Sequence, residues 1–173
     1  MCIPKINVRK IEEVDRQIIT NIEATMADYP LDIVSIGIDP GVTNIGIAKI
    51  VPGKKETLVL LHQIHLERLD NSVERMENLD KFLYQRIYVN GQELLTIEGA
   101  SYGKHYRQVE LAEARTVMAM WGVKRGMKVQ IIPPNTIRKV AFGSAKIKNP
   151  WEDIPDDCAA ALGCAIYGYR QIS

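Results

Sequence analysis

Three places in this 173-residue chain put carboxylates where oxygen-ligand chemistry could begin. Asp39 closes the short apolar run Ile33-Val34-Ser35-Ile36-Gly37-Ile38 and precedes Pro40-Gly41. Glu98 closes a second such run, Leu94-Leu95-Thr96-Ile97, and precedes Gly99. Asp156 and Asp157 open an alanine-rich stretch with helical character. Each acid alone has an ordinary explanation: a turn residue, a solvated strand terminus, a favourable charge in a first helical turn. Together they suggest more, because a carboxylate at the end of a buried strand is costly unless it is paired or bound to a cation. Two strand-end acids and one helix-start acid can converge on one point. Such a cluster of hard oxygen donors suits Mg²⁺, with Mn²⁺ as a substitute. Two ions about 4 Å apart can activate water and stabilise the leaving oxygen of a phosphodiester.

The elements that must position these acids are legible in the periodicity. Ile33–Ile38 reads as a strand, and Asn44–Val51 as a second strand returning from the Asp39-Pro40-Gly41 turn. Pro52-Gly53 makes the next turn and Thr57–His65 a third strand. A helix is expected over 72–88, with Val73, Met76, Leu79, Phe82, Leu83 and Ile87 inward. The fourth strand is 94–98. A second helix follows over 106–121, with Leu111, Ala114, Met118 and Trp121 on one side. The fifth strand is 129–132, then a short helix over 135–140, a basic loop over 143–152 and a last helix over 156–169. This order predicts an α/β domain over residues 33–173, with a central five-stranded mixed sheet and helices on both faces. Residues 1–32 read as an N-terminal extension. Val14, Ile18, Ile19 and Ile22 predict a helix there, and the extension could cover a sheet edge or contact a partner.

Composition narrows the class. The length suits one domain. Cys2, Cys158 and Cys164 are too few for a disulfide framework, and no zinc-ligand spacing links them to the three histidines. No apolar stretch is long enough to span a membrane, and the N-terminus lacks a secretory pattern, so an intracellular, non-secreted protein is expected. The net charge is only +1, but it is unevenly spread. Between Ala100 and Lys148 stand ten basic residues and only two acids, Glu110 and Glu113. A basic segment of this kind suits an anionic polymer.

The motifs resemble those of the RuvC family of Holliday junction resolvases, within the ribonuclease-H-like superfamily. Ile36-Gly37-Ile38-Asp39-Pro40-Gly41 with Gly46 resembles the first-strand motif of that family. Thr96-Ile97-Glu98-Gly99 resembles its second acidic motif, and Phe142-Gly143-Ser144-Ala145-Lys146 its stretch before the last helix. Asp156-Asp157-Cys158-Ala159-Ala160-Ala161-Leu162 resembles its final motif. The resemblance implies a crossover junction endodeoxyribonuclease that uses two Mg²⁺ ions. Asp39, Glu98 and Asp157 would be catalytic metal ligands, with Asp156 as a fourth candidate. It implies four-way junction DNA as partner and a homodimer formed through helix 106–121, whose apolar side could equally be core. Tyr102 would lie near the junction centre, where an aromatic ring can stack on a base. Lys104, Arg107, Lys139, Lys146 and Lys148 would contact the backbone.

One position departs from the family pattern. Where the last motif carries its second Asp, this chain has Ala160. Three residues after Asp157, position 160 would share its helix face. The substitution has three readings: a deliberate inactivation, a natural loss of activity, or compensation by Asp156. Intact neighbouring motif positions favour the first. Three rival functions stand beside the nuclease. An actin-like or sugar-kinase ATPase shares the Asp-x-Gly-x-Thr-Asn turn but needs a second lobe. A non-catalytic junction-binding protein is consistent with Ala160. A generic ribonuclease H would cut RNA–DNA hybrids instead.

Overall fold

The computed structural model describes residues 7–8, 34–52, 57–66, 71–87, 89, 91–100 and 108–172. The strands are β1 (Asn7–Val8), β2 (Ser35–Asp39), β3 (Asn44–Pro52), β4 (Thr57–His65), β5 (Leu94–Glu98) and β6 (Lys128–Ile132). The helices are α1 (Ser72–Arg86), α2 (Gln108–Lys124), α3 (Pro134–Phe142) and α4 (Asp156–Ile172). All nine elements expected after residue 32 are present, with ends shifted by up to three residues. The sheet is mixed, in the order β1-β4-β3-β2-β5-β6. β2, β3 and β4 form the expected antiparallel meander, and β5 and β6 continue it in parallel with β2.

The sheet has one strand more than the five expected. Asn7 and Val8 pair in parallel with Leu58 and Val59 at the β4 edge. The extension thus covers a sheet edge with these two residues. The helix expected from Val14 onward lies outside the described residues.

The alternation of each strand divides the core between the two faces of the sheet. Ile36 and Ile38 of β2, Ile45 and Ile47 of β3, and Leu95 and Ile97 of β5 point to the side covered by α1 and α2. There they meet Leu79, Leu83, Ala114, Met118 and Trp121, all fully buried. Ala48 and Ile50 of β3 and Val59 and Leu61 of β4 point to the other side. That side is covered by α4 through Cys158, Ala159, Ala161, Leu162 and Ala165. The prediction of helices on both faces holds.

Helix α4 lies unusually close to the sheet because both partners are small. Gly37 and Gly46 have no side chain beneath it. A methyl group at Gly37 would overlap the Ala161 carbonyl, and one at Gly46 the Asp157 carbonyl. Helix α3 starts with Pro134 at its first position, where no amide donor is needed, and ends at Gly143 with φ 78°. It packs beside α4, with Ile137 and Phe142 against Gly163.

Candidate active site

Strand register brings the first two acids together. β2 and β5 are adjacent and parallel, with Ile38 opposite Ile97. Asp39 and Glu98 are the next residues, so they emerge side by side from neighbouring strands about 4.8 Å apart. Because Ile38 and Ile97 point towards α1 and α2, the two acids point to the α4 side. The third acid comes from above. Asp39 is paired with Gly46 across β2 and β3, and the backbone of Asp157 rests on Gly46. The bare glycine therefore lets the first turn of α4 deliver Asp157 to the strand ends. A helix N-terminus favours the negative charge placed there.

The electrostatics agree with this convergence. Asp39 is half-buried, and its carboxyl is held well above the usual range, first by loss of solvent and then by the charges of Glu98 and Asp157. Arg138 and Arg115 oppose that shift. Glu98 is also raised, chiefly by burial, again against the pull of Arg138 and Arg115. Burial disfavours the charged form of both acids, and for Asp39 the neighbouring negative charges add to it. Cys158 is pushed up to about 11 by burial and by the charges of Asp157 and Asp39, and Cys164 feels Glu98 and Asp39. Both cysteines are buried and free, as small packing residues should be.

Neighbours from three elements engage Glu98 and Asp157. Arg138 of α3 pairs with Glu98, Nη2 to Oε1 at 3.8 Å. Arg115 of α2 donates from Nε to the Glu98 carbonyl at 3.2 Å. Gln63 of β4 donates to Asp157 Oδ2 at 3.4 Å. Asp156 turns away from this cluster: it is exposed and accepts from Asn149 Nδ2 at 3.0 Å, in the loop before α4. Among the described residues, no group of three or more His, Cys, Asp or Glu side chains is arranged to hold a metal directly. A Glu98 oxygen faces Arg138, and an Asp157 oxygen accepts from Gln63.

Ala160 is half-buried on α4, one turn beyond Asp157 and one turn before Cys164. The charge of Asp157 reaches Asp39, and Cys164 feels Glu98 and Asp39. Position 160 therefore lies along the helix between one acid of the cluster and a residue that senses the other two. Lys139, Lys146 and Lys148 are exposed, on α3 and in the loop that follows. Tyr102, Lys104 and Arg107 lie outside the described residues. Sequence reasoning missed Arg115, Arg138 and Gln63 as members of the site. The first two counted only towards a basic segment. The missed signal is the placement of the two arginines, each on the helix that follows a strand ending at this edge.

The family model for crossover junction endodeoxyribonuclease RuvC matches residues 34–150, well over half of the chain. This chain belongs to the RuvC family. The match ends before α4, so the assignment of Asp157 and position 160 stands on the motif and on the geometry above. A RuvC from Salinispora arenicola (strain CNS-205) is 27% identical over 114 residues, covering 64% of this chain and 65% of that protein. A RuvC from Synechococcus sp. (strain CC9311) is 26% identical over 156 residues, covering 79% of this chain and 98% of its own length. Among solved structures, Thermus thermophilus RuvC superposes with a TM-score of 0.64 at 16% identity, covering 79% of this chain and 95% of that one. The same protein in complex with a Holliday junction substrate gives 0.60 at 15% identity, covering 82% and 96%. These likenesses fix the fold as the ribonuclease-H-like α/β type. Family membership also sets aside the ATPase expectation.

Proposed function

We propose that this chain is a structure-selective endodeoxyribonuclease of four-way DNA junctions, whose hydrolytic site is formed by Asp39, Glu98 and Asp157 and is weakened at Ala160. The observation that carries this reading is the convergence of the first two family acids on adjacent parallel strands, with Asp157 lowered onto them across Gly46. The curated relatives are named as crossover junction endodeoxyribonucleases, and a structural neighbour was solved with a Holliday junction.

The residues present fit divalent cations in chemistry. All three donors are hard oxygens, as Mg²⁺ and Mn²⁺ prefer. Burial is the main cause of the raised proton affinity of Asp39 and Glu98, and a bound cation would favour their charged forms. Asp39 and Asp157 would hold one ion, and Glu98 with Asp39 a second, once Glu98 turns from Arg138. Bound ions would supply an activated water and a clamp on the attacking and leaving oxygens of the phosphodiester. The chain's own residues do the rest. The strand ends fix the two half-buried acids, and α4 excludes water from one side of them. Lys139, Lys146 and Lys148, with Lys104, Arg107 and Tyr102 from the loop after Glu98, would hold the junction backbone and its centre.

Two copies would act together, as two nicks are needed to resolve a junction. The exposed apolar residues Val109 and Met120 of α2, facing Val73 of α1, offer a surface for such pairing. The buried side of α2, Ala114, Met118 and Trp121, belongs to the core instead. A DNA substrate would place the protein inside the cell. Among the described residues no helix is long and apolar enough to cross a membrane.

A second reading, a non-catalytic junction-binding protein, is favoured by Ala160 alone. A nicking assay on a synthetic four-way junction with Mg²⁺ separates the two, run for this chain and for Ala160→Asp. The expected result is tight junction binding by both, slow nicking by the chain as it stands, and a gain of roughly tenfold or more in Ala160→Asp. Absence of nicking in both forms would favour the binding protein. Preference for an RNA–DNA hybrid would make the chain a ribonuclease H.

A further inference from the structure

Two acids of the site emerge from adjacent strand ends, beside the first turn of α4, yet none of the described acids forms a ready-made metal cage. The reason is visible at Glu98. Its carboxylate, largely buried, faces the guanidinium of Arg138 at 3.8 Å, and Arg138 is itself only 22% exposed. Arg115 fixes the backbone of the same residue through its carbonyl. Glu98 is therefore held from two sides by cationic residues of two different helices. Helix α3 is anchored beside α4 by Ile137 and Phe142 against Gly163, and by a hydrogen bond from Arg170 to the Val140 carbonyl. That packing keeps Arg138 at the site.

We propose that Arg138 is a positioning residue that serves as the resident counter-cation of the acid cluster: it holds Glu98 in the metal-free site, and a divalent ion must displace it from Glu98 to bind there. The inference rests on the nuclease reading above and adds to it a cost on metal binding set by a residue outside the acidic motifs. An ion pair of this kind competes electrostatically with any second cation at the same carboxylate. Binding of the ion and pairing of Arg138 with Glu98 are then linked reciprocally.

The test compares the full chain with Arg138→Gln and Arg138→Lys, titrated with Mn²⁺ in a calorimeter in the absence of DNA. Unfolding midpoints are measured in EDTA and in Mg²⁺. Arg138→Gln should bind Mn²⁺ about three- to tenfold more tightly, a shift that one lost competing ion pair can supply. It should melt lower than the parent in EDTA and regain more of that loss on adding Mg²⁺. Arg138→Lys keeps a cation beside Glu98 and should stay near the parent in both measurements. Unchanged or weaker Mn²⁺ affinity in a folded Arg138→Gln would overturn the proposal. So would a Lys variant that behaves like Gln, because the charge would then be irrelevant. If Arg138→Gln does not fold even with Mg²⁺ present, Arg138 is structural and the proposal fails as well. Junction binding by the parent chain is measured alongside. Its absence would overturn the nuclease reading, whereas an unmoved Mn²⁺ affinity overturns only the role of Arg138.

Discussion

The two faces of the central sheet are built to different rules. The face under α1 and α2 is filled with bulky side chains: Ile36, Ile38, Ile45, Ile47, Leu79, Leu83, Met118 and Trp121. The face under α4 is small where the helix crosses the strands: Cys158, Ala159, Ala161 and Ala165 lie over Gly37, Gly46 and Ala48, with Ile50, Val59, Leu61 and Leu162 filling the rest. The first face holds its helices at ordinary distance and buries the most apolar volume. The second lets a helix backbone approach the strands closely, and this proximity carries Asp157 to Asp39. The bulkier core lies on one side of the sheet and the acid geometry on the other. Both are needed, because a helix can be seated that closely only on a sheet made rigid from behind.

The sharpest way to break the comparison is a pair of core substitutions read for both stability and nicking. Trp121→Ala, on the bulky face, should cost about 3–5 kcal/mol of unfolding free energy, since Trp121 is fully buried. Nicking per folded molecule should hold, measured in the nicking-competent Ala160→Asp background at a temperature where the variant is still folded. Gly46→Ala, on the small face, should cost less, about 1–3 kcal/mol, because α4 can lift to relieve the overlap with Asp157. It should nevertheless abolish nicking in the same background, because lifting α4 withdraws Asp157. If Trp121→Ala lost activity beyond its unfolded fraction, or Gly46→Ala kept it, the division between the faces would not stand.

A smaller effect sharpens the comparison by its dependence on pH. His62 is paired with Ile47 across β3 and β4, so its ring sits on the bulky face, with Lys49 of β3 on the same side. Its Nε2 is buried without a hydrogen-bond partner among the described residues. Burial, and then the charge of Lys49, depress the ring from 6.5 to about 4. The folded chain thus binds this proton more weakly than the unfolded chain does. Stability should be fully present above pH 6.5 and fall as pH drops towards 4, by about 2 kcal/mol at pH 5. Urea midpoints of the parent and of His62→Leu across pH 4–7 measure this. A parent curve as flat as that of the variant would remove His62 from the account.

The acid cluster predicts the opposite slope on the other face. Asp39 and Glu98 have raised proton affinity in the folded state, so their ionisation costs stability at neutral pH without a cation. Asp39→Asn should remove part of that cost, lift the metal-free midpoint by a few degrees, and abolish nicking in the Ala160→Asp background. A variant that melts lower in EDTA would mean that the cluster is already neutralised, Arg138 being the nearest source of charge. Added Mg²⁺ should stabilise the parent and leave Asp39→Asn nearly unmoved.

Much of this was legible in the chain itself, for local reasons. Strands β2 to β6 show as β-branched or alternating runs punctuated by Pro40-Gly41, Pro52 and Pro133-Pro134. Periodicity and breakers are short-range signals, so they survive without the fold. β1 was not legible, because two residues carry no period and their pairing with Leu58 and Val59 spans about fifty residues of chain. Helix α2 was half legible. Its run of apolar residues hides two stripes, Ala114, Met118 and Trp121 towards the core, Val109 and Met120 towards solvent. Only the position of α1 separates them.

The acids divide in the same way. Residue type and placement at the ends of elements single out Asp39, Glu98 and the Asp156-Asp157 pair as candidates for oxygen-ligand chemistry, and this is a property of the sequence. Which member of the pair joins the site is a property of the fold. Helix phase turns Asp157 down onto Gly46, while Asp156 remains outside against Asn149. The basic segment likewise shows its charge in the sequence but not its partition. Tertiary packing brings Arg115 and Arg138 inward to Glu98 and leaves Lys139, Lys146 and Lys148 in solvent. Charge and periodicity are additive along a chain and can be read one residue at a time. Which charges meet depends on strand register and on how closely a helix can approach a sheet, and these were decided by Gly37 and Gly46 acting across more than a hundred residues of chain.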